Sequence, residues 1–310
     1  MPTITVVIPV YNGAQTIRAT LESILAQSFQ DIEIVVINDG STDGTAAIVE
    51  AIIEQYTGCP IRLMHYPNRG LAASRNRGIQ QSRCELISFV DADDLWTPHK
   101  LADQLAALRA NPGAAVAYSW TDCIDLADRV CRRGSHVAAE GQVYDKLLMG
   151  NFLDSGSNAL FRKQVFKAVG PFDETLTAAE DWDMFLRVAL DHTFVAVPKV
   201  QVLYRLSPQS MSANLKRQER ESLRVLTQAF ARAPQLPWRK KRKSLAQVYR
   251  YLTFKALESC FTRRRAWAAA KYLGQALYQD PQQLRPIRLF RDQLWIILKT
   301  LTRAVVLDAS

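Results

Sequence analysis

Apolar and polar positions alternate over residues 3–120 in a pattern that predicts strands separated by helices. Short apolar runs rich in β-branched residues are typical of buried parallel strands, and they occur at 5–9, 32–38, 61–66, 85–90 and 114–120. Between these runs, apolar residues recur every three or four positions, as on one face of an amphipathic helix, over 14–28, 46–56, 71–81 and 99–110. Strands that alternate with helices of this length indicate βαβ units and a mostly parallel, Rossmann-like sheet sandwiched by helices.

The rest of the chain divides into a mixed stretch and a helical one. Over 121–210 the pattern predicts a hairpin, two short helices, a longer helix and two strands, at 122–132, 142–149, 163–169, 180–191, 193–197 and 200–205. From residue 213 onward the apolar spacing is helical. We therefore expect an α/β domain over 1–212 and an all-helical C-terminal extension over 213–310.

Positive charge is concentrated in this helical extension. The chain of 310 residues has a formal net charge of +9, and its basic runs are WRKKRK at 238–243 and RRR at 263–265. A basic surface favours anionic partners such as phosphate-rich substrates or lipid headgroups. Trp238, Trp267 and Trp295 are candidates for residues at a membrane interface, although a helical bundle with solvated basic faces explains the same runs.

Neither end of the chain has the pattern of an exported or membrane-spanning protein. The N-terminal run MPTITVVIPVYNG lacks a basic leader and a small-residue cleavage site, so we interpret it as a strand. The apolar stretch 294–307 is interrupted by Lys299 and Arg303 and is too short to span a bilayer. The cysteines form no CxxC pair, unlike those of a zinc site or a disulfide framework. These features predict a cytoplasmic protein, with any membrane contact peripheral and at the inner face of the cell membrane.

Polar residues follow the predicted strands at the edge of the sheet where open α/β folds bind ligands. Pro9 ends the first strand, and Tyr11 and Asn12 follow it, where a tyrosine ring can stack on a flat base. Asp39 ends the second strand, where its carboxylate can accept a hydrogen bond from a base N–H. Arg75, in the helix after the third strand, offers a forked cation that suits phosphate. Taken alone, the first cluster is better explained by an ordinary turn and the third by a surface arginine. A turn with a helix cap explains the residues after Asp39 well, but it explains Asp39 itself less well.

Three carboxylates in four residues follow the fourth strand directly, at Asp91, Asp93 and Asp94. Their repulsion must be offset by solvent or by a cation, and hard divalent ions such as Mg²⁺ or Mn²⁺ prefer oxygen ligands. In an extended stretch Asp91 and Asp93 point the same way, so both can reach one metal ion. A solvated acidic turn before a helix is the simpler alternative, because a D-x-D motif is short and common.

A further acidic pair, Glu180 and Asp181, opens the helix predicted at 180–191. The helix dipole favours acidic residues in a first turn, which explains the pair without any functional role. The functional alternative is a general base, because a carboxylate within hydrogen-bond reach can deprotonate an attacking hydroxyl.

Together and in this order, the motifs IPVYNG, VINDGSTDGT, NRGLAASRNRGI, FVDADDLW and AAEDWDMFLR resemble those of the family 2 glycosyltransferases, which have the GT-A fold. The resemblance covers about residues 3–205 and implies inverting transfer of a sugar from a nucleotide diphosphate sugar. It implies a divalent metal, Mn²⁺ or Mg²⁺, held by Asp93 and Asp91, and a catalytic base at Asp181 of the Glu180-Asp181 pair. The residues that it implies around the nucleotide are Pro9, Tyr11, Asn12, Asp39, Arg75 and Asp91.

The donor and acceptor are expected at the level of the family only. Asp39 suits uridine or deoxythymidine, whose bases offer an imide N–H, and UDP is the commoner donor nucleotide. The acceptor is expected to be a hydroxyl of a saccharide or lipid-linked saccharide, as in bacterial surface-polysaccharide assembly. One departure is Ser207, which stands where many relatives have a histidine, so that Ser207, Ser210 or Ser212 must substitute or the role is absent. The QxxRW motif of processive enzymes is also missing, which favours the addition of single sugars.

Other classes of protein match the sequence less well. A sugar-phosphate nucleotidyltransferase shares the α/β architecture, but its Gly-rich basic loop is missing from IPVYNGAQT. A dehydrogenase needs G-x-G-x-x-G after the first strand, and a nucleic-acid-binding module leaves the acidic cluster unexplained. A catalytically silent relative that binds a nucleotide sugar is the other alternative, although such a protein is expected to have lost Asp93 or Asp181.

Overall fold

The computed structural model describes residues 2–56, 58, 60–207, 213–258 and 262–284. The expectations for Ser210, Ser212, Trp295 and the stretch 294–307 fall outside these ranges. As far as the described residues go, the chain forms two compact units, Met1–Leu147 with Asn151–Ser207 and Leu148–Gly150 with Pro208–Ser310.

The first unit is built on one sheet with helices between its strands. Its strands are β1 (Ile4–Val10), β2 (Ile32–Asn38), β3 (Ile61–His65), β4 (Leu86–Phe89), β5 (Leu95–Trp96), β6 (Ala114–Ile124), β7 (Val130–Arg133), β8 (Leu160–Arg162) and β9 (Thr193–Arg205). Its helices are α1 (Ile17–Leu25), α2 (Thr45–Gln55), α3 (Leu71–Gln81), α4 (Lys100–Ala110), α5 (Tyr144–Leu147), α6 (Val165–Val169) and α7 (Glu180–Asp191).

The sheet order among the described strands is β3-β2-β1-β4-β8-β6-β9-β5, with β7 paired to β6. Strands β3, β2, β1 and β4 are parallel to one another, and β6 is parallel to β9. The antiparallel pairs join β8 to β4 and β6, β5 to β9, and β7 to β6. The parallel half confirms the predicted βαβ pattern and brings the carboxyl ends of β1, β2 and β4 to one edge.

The central strands are buried because their sequences are apolar on both faces. Every residue of β1 and β2 is buried, including Pro9, which lies within β1 opposite Ile37. Helix α3 approaches β1 closely at Gly78, where a Cβ atom would lie 2.2 Å from a methyl carbon of Val7. A glycine at this point therefore lets α3 lie against the sheet with Arg75 on the same helix.

Two short strands and one long strand differ from the pattern-based prediction. The strands β5 and β8 have two and three residues and were not predicted, because their pairing depends on distant partners. The strands predicted at 193–197 and 200–205 are one strand, β9, whose register shifts where Pro198 and Lys199 lie. Proline lacks the N–H that the ladder needs, which explains the irregularity at the predicted break.

The described part of the second unit is helical, as the spacing predicts. It contains α8 (Leu215–Arg232), α9 (Trp238–Glu258), α10 (Arg263–Gln279) and a short 3-10 helix at Pro281–Leu284. A small apolar cluster includes Ala256, Ala269 and Leu273. Among the described helices, none combines the length and apolar character that crossing a bilayer requires. The domain boundary predicted near residue 212 falls between β9 and α8 and stays a prediction.

Candidate active site

Hydrogen bonds join the loops after β1 and β2 and bring the first two polar clusters together. The backbone N–H of Asp39 donates to the carbonyl of Val10 (2.8 Å), and the N–H of Thr42 donates to Asn12 Oδ1 (2.8 Å). Asn12 has a φ of 51°, in the left-handed region that asparagine tolerates better than most residues. Asn12 therefore fixes the loop, while the neighbouring Tyr11 is 55% exposed and available for stacking.

The Asp39 carboxylate is buried and already accepts several hydrogen bonds. Its donors are the backbone N–H groups of Arg69 (3.0 Å) and Gly70 (2.8 Å) and Arg77 Nη1 (2.7 Å). These bonds hold the loop before α3, where Gly70 has a φ of +91°. Arg77, which sequence reasoning did not single out, is thus the arginine that pairs with Asp39. A nucleoside base that bonds Asp39 would share the carboxylate with these donors.

Arg75 is a buried cation that links the acidic strand end to the acidic start of α7. Its Nη2 donates to Asp91 Oδ1 (2.7 Å) and its Nη1 donates to Glu180 Oε1 (2.8 Å), and its side chain is 1% exposed. Burial disfavours the guanidinium charge, but the charges of Asp91, Glu180 and Asp181 outweigh burial and raise the pKa of Arg75. Arg75 therefore connects the carboxylates that follow β4 with the acidic pair that opens α7.

The space for the Arg75 guanidinium depends on Gly156. A Cβ atom at Gly156 would lie 2.4 Å from Arg75 Nη2 and 2.9 Å from its Cζ. Gly156 belongs to the loop 151–158, which sequence reasoning did not assign to the site. Its residues NFLDSGSN are rich in Ser, Asn and Gly, which indicates a loop but not its partners.

Replacing Gly156 by alanine is expected to destabilise the protein by about 1–3 kcal/mol, because the added methyl overpacks a buried ion-paired arginine. Chemical denaturation measures the free energy of unfolding. Gly113→Ala is the matched control, since a Cβ atom there meets nothing within 4 Å. Equal free energies of unfolding for the two variants would contradict this account of Gly156.

The carboxylates of Asp91 and Asp93 are crowded at the end of β4. The Asp91 side chain is 23% exposed and bonded to Arg75, and Asp93 is half-buried. Burial raises the pKa of Asp93 to about 6, and the negative charge of Asp91 adds to this rise, while Arg205 opposes it. Negative charge on Asp93 therefore has an energetic cost that a nearby cation would lower.

Asp94 and Arg205 fix the backbone that carries this pair. Asp94 is fully buried and accepts hydrogen bonds from Ser155 Oγ (3.2 Å), Ser157 Oγ (2.5 Å) and the backbone N–H of Arg205 (3.0 Å). Burial, together with the charges of Asp93 and Asp91, raises the pKa of Asp94 well above its usual range. Arg205 Nε donates to the backbone carbonyl of Asp93 (2.8 Å). Asp94 is therefore a structural member of the acidic cluster.

The chemistry of the donor set fits a hard divalent ion. Asp91 and Asp93 offer carboxylate oxygens, and burial together with the charge of Asp91 raises the pKa of Asp93, so a cation close to it would be stabilising. Among the described residues, no group of three or more His, Cys, Asp or Glu side chains is arranged to hold a metal. Two protein carboxylates with further oxygens from a diphosphate are an ordinary ligand set for Mg²⁺ or Mn²⁺.

Asp181 lies beside Glu180 but has different partners. Glu180 is bound to Arg75, whereas Asp181 Oδ2 accepts a hydrogen bond from Asn151 Nδ2 (3.1 Å) and its Oδ1 accepts one from the Trp182 N–H (2.7 Å). Burial and the charge of Glu180 raise the pKa of Asp181 to about 7, with Arg75 opposing them. Asp181 thus has the proton affinity that a general base needs near neutral pH.

Two residues remain to be placed: Asn151, which the sequence analysis did not single out, and Ser207, which it did. Asn151, which bonds Asp181, was missed because nothing in a local sequence pattern connects residues 30 positions apart. Ser207 lies two positions after the end of β9. The expectation that Ser207, Ser210 or Ser212 takes the place of the family histidine stays a prediction.

Comparison with known sequences identifies relatives that include glycosyltransferases and a succinoglycan biosynthesis protein. The chain is 32% identical over 213 residues to an uncharacterised glycosyltransferase of Rickettsia typhi, covering 64% of this chain and 64% of that protein. It is 30% identical over 248 residues to the succinoglycan biosynthesis protein ExoO of Rhizobium meliloti, covering 75% of this chain and 69% of that protein. The chain spans only 27% of another relative, an uncharacterised glycosyltransferase of Rickettsia bellii.

Solved structures share the fold at low sequence identity. The mannosyltransferase PcManGT from Pyrobaculum calidifontis, in complex with GDP-Man and Mn²⁺, aligns with a TM-score of 0.60 and 19% identity, covering 98% of this chain and 87% of that chain. TarS 1–349 of S. aureus, in complex with UDP, aligns with a TM-score of 0.57 and 19% identity, covering 96% of this chain and 89% of that chain. These likenesses confirm the predicted GT-A fold.

The family model described as glycosyltransferase-like family 2 matches residues 5–256, which is well over half of the chain. This match includes all five of the strand-end and helix-start motifs. The chain belongs to glycosyltransferase-like family 2.

Proposed function

We propose that this protein transfers a sugar, with inversion, from a nucleotide diphosphate sugar to a hydroxyl of a saccharide or lipid-linked saccharide. The observation that carries the proposal is Arg75, which bonds both Asp91 of the D-x-D motif and Glu180 beside Asp181. A leaving-group site and a base are thereby held next to each other, as a single displacement requires. The similarity to the succinoglycan biosynthesis protein ExoO supports a role in polysaccharide biosynthesis.

For the donor we propose a UDP-sugar. Tyr11 has the exposed ring that stacking on uracil needs, and Asp39 has a carboxylate that can accept the imide N–H. The structural relatives were solved with UDP and with GDP-Man, which supports a nucleotide sugar without deciding between the bases. Arg75 acts on the diphosphate indirectly, because its guanidinium is buried against Asp91 and Glu180.

Asp91 and Asp93 would hold the divalent ion, Mn²⁺ or Mg²⁺. A bound divalent ion stabilises the negative charge that develops on a diphosphate leaving group. The protein's own part is to keep the two carboxylates in place through Arg75, Asp94 and Arg205. Arg75 also fixes the position of the Asp91 carboxylate through an ion pair of 2.7 Å.

Asp181 would accept the proton of the acceptor hydroxyl as the hydroxyl oxygen attacks the anomeric carbon. The O–H bond breaks, the new glycosidic bond forms, and the nucleoside diphosphate leaves with the electrons of the old bond. Attack from the face opposite the leaving group inverts the configuration. Because Glu180 is paired with Arg75, Asp181 is the member of the acidic pair available for this proton transfer.

A donor screen tests the proposal directly. The protein is incubated with UDP-, dTDP- and GDP-sugars, Mn²⁺ or Mg²⁺, and simple saccharide acceptors, and nucleoside diphosphate release is measured. We expect one donor to release its nucleoside diphosphate faster with acceptor present than without, and to give a product of inverted anomeric configuration by NMR. Binding of a nucleotide sugar without any turnover would support a catalytically silent relative instead.

The Asn151 amide is expected to set the pH at which the enzyme becomes active. Its N–H stabilises the ionised form of Asp181. Asn151→Asp keeps the acceptor used by the Leu153 N–H, removes the donor and places a second carboxylate beside Asp181, and both changes should raise the pKa of Asp181 above about 7. A base works when deprotonated, so the acid limb of kcat/KM should move to higher pH by about one unit. Asn111→Asp, at the exposed residue that follows α4, serves as the control. A lower kcat at every pH with an unmoved acid limb would contradict this role.

A further inference from the structure

The two oxygens of the Asp39 carboxylate are not equally available to a ligand. Oδ1 accepts hydrogen bonds from the Arg69 N–H (3.0 Å) and from Arg77 Nη1 (2.7 Å), and Oδ2 accepts one from the Gly70 N–H (2.8 Å). The Arg69 N–H also lies within 3.2 Å of Oδ2, so this donor is shared and favours Oδ1. A carboxylate has about four acceptor positions, divided equally between its oxygens. Among the donors that the structure describes, two therefore fill Oδ1, and one acceptor position stays open on Oδ2.

Arg77 is held firmly in the place where it fills Oδ1. Its Nη2 donates to the Pro67 carbonyl (3.0 Å), and its guanidinium lies 4.5 Å from the ring centroid of Tyr66. The Arg77 side chain is only 13% exposed. A carboxylate, a carbonyl and an aromatic ring thus contact the planar guanidinium together. Arg77 is therefore expected to stay on Oδ1 when a nucleoside base approaches Asp39.

The nucleoside bases present different edges to a carboxylate in this state. Uracil and thymine present one imide N–H, which suits a single open acceptor. Guanine presents a ring N–H and an amino group side by side, and this pair is satisfied only when both carboxylate oxygens can accept. With Oδ1 filled, the guanine amino group is left unpaired beside a guanidinium, which disfavours binding. The arrangement of Asp39 and Arg77 therefore matches an imide base and opposes guanine.

We propose that Arg77 is a specificity-determining residue, which makes the nucleotide site accept an imide base and reject guanine. This role rests on the proposed nucleotide site at Asp39 and adds the side chain that selects the base. The fold occurs in proteins solved with UDP and with GDP-Man, so the fold by itself does not select the base. Uracil and thymine share the imide edge, so Arg77 excludes GDP-sugars and does not separate UDP-sugars from dTDP-sugars.

Calorimetric titration of the wild type with nucleoside diphosphates and Mn²⁺ tests this role first. UDP should bind about tenfold or more tightly than 3-methyl-UDP, in which a methyl group replaces the imide hydrogen. Inosine diphosphate (IDP) and GDP differ only in the guanine amino group, so their affinity ratio reports on Oδ1 without an effect of base size. The wild type should bind IDP more tightly than GDP, because the amino group finds no acceptor.

Arg77→Met opens Oδ1 and should reverse the order of IDP and GDP, with GDP gaining about tenfold relative to IDP. Arg77→Lys keeps a cationic donor and should restore the wild-type order. The matched control is Arg69→Met, which removes the same charge nearby. The Arg69 side chain pairs with Glu174 (3.1 Å), and it is the Arg69 backbone N–H that bonds Asp39, so the ratio of IDP to GDP should not change. A merely structural role of Arg77 would weaken all these diphosphates alike and leave the ratio unmoved.

The outcomes separate this role from the proposed transfer reaction. Tighter binding of GDP than of IDP by the wild type, equal binding of UDP and 3-methyl-UDP, or a ratio of IDP to GDP that Arg77→Met leaves unchanged would overturn the role of Arg77 alone. Absence of binding by all these diphosphates would overturn the proposed donor site together with it. The wild-type titrations decide the question even where Arg77→Met does not fold.

Discussion

Replacing Asp181 by asparagine is expected to lower kcat/KM by about 10²- to 10⁴-fold, the range that a general base contributes. Asparagine has nearly the same shape, so it removes the proton acceptor while the Trp182 N–H keeps an oxygen to bond. The affinity for the donor nucleotide should stay within about twofold, because Asp181 is proposed to act on the acceptor hydroxyl. Steady-state kinetics and calorimetric titration of the nucleoside diphosphate measure the two effects separately.

The matched control for this variant is Asp191→Asn, the same chemical change at the other end of α7, where the side chain is exposed. It should have near wild-type kinetics. The wild-type kcat/KM should also fall as the pH drops through about 7, since a base with that pKa becomes protonated below it. A near wild-type rate for Asp181→Asn, with an acid limb that does not change, would exclude Asp181 as the base.

Replacing Asp93 by asparagine is expected to lower kcat/KM by about a hundredfold or more, because the divalent ion is proposed to contribute several kcal/mol to leaving-group stabilisation. The affinity for the nucleoside diphosphate should fall in the presence of Mn²⁺ and should change little in its absence. Isothermal titration with and without the ion distinguishes lost metal binding from lost nucleotide contacts.

Unfolding experiments show whether the Asp93 variant is merely misfolded. Burial and Asp91 raise the pKa of Asp93, so the folded protein disfavours its charge at neutral pH, and removing that charge should leave the free energy of unfolding unchanged or higher. Asp103→Asn, which removes a partly exposed carboxylate of α4, is the control for a change in net charge. Unchanged metal-dependent binding in Asp93→Asn would contradict the assignment of the metal site.

The parallel half of the fold is predictable because its signals are local. Buried strands such as β1 and β2 are apolar along their whole length, and the amphipathic helices between them have regular spacing. The strands β5 and β8 are too short to carry such a signal, and their place is decided by pairing with β9, β4 and β6. Local sequence patterns carry little information about pairing between distant strands, so they do not predict β5 and β8.

In the candidate site, too, the sequence predicts some features and not others. The positions of Asp39, Asp91 and Asp181 at strand and helix ends follow from the pattern, since polar residues that end apolar runs are conspicuous. The partner of each carboxylate does not follow from it. Arg75 was expected near the nucleotide and is buried between Asp91 and Glu180, and Asp39 is paired with Arg77.

The site residues of the loop 151–158 have no sequence signal of their own. Asn151, Gly156 and Ser157 come from a loop that resembles any polar loop, and their roles appear only once that loop lies against Asp181, Arg75 and Asp94. Such contacts join residues far apart in the chain. The composition of a loop therefore predicts that it is a loop, and only the tertiary structure identifies what it holds.

The most direct test of the central claim is a calorimetric titration of the wild type with UDP, first with Mn²⁺ and then with the ion removed by a chelator. UDP should bind at least tenfold more tightly with the ion than without it, because Asp91 and Asp93 would hold the ion against the diphosphate. Absence of binding for UDP, dTDP and GDP with either Mn²⁺ or Mg²⁺ would contradict a nucleotide-sugar donor site at the end of β4.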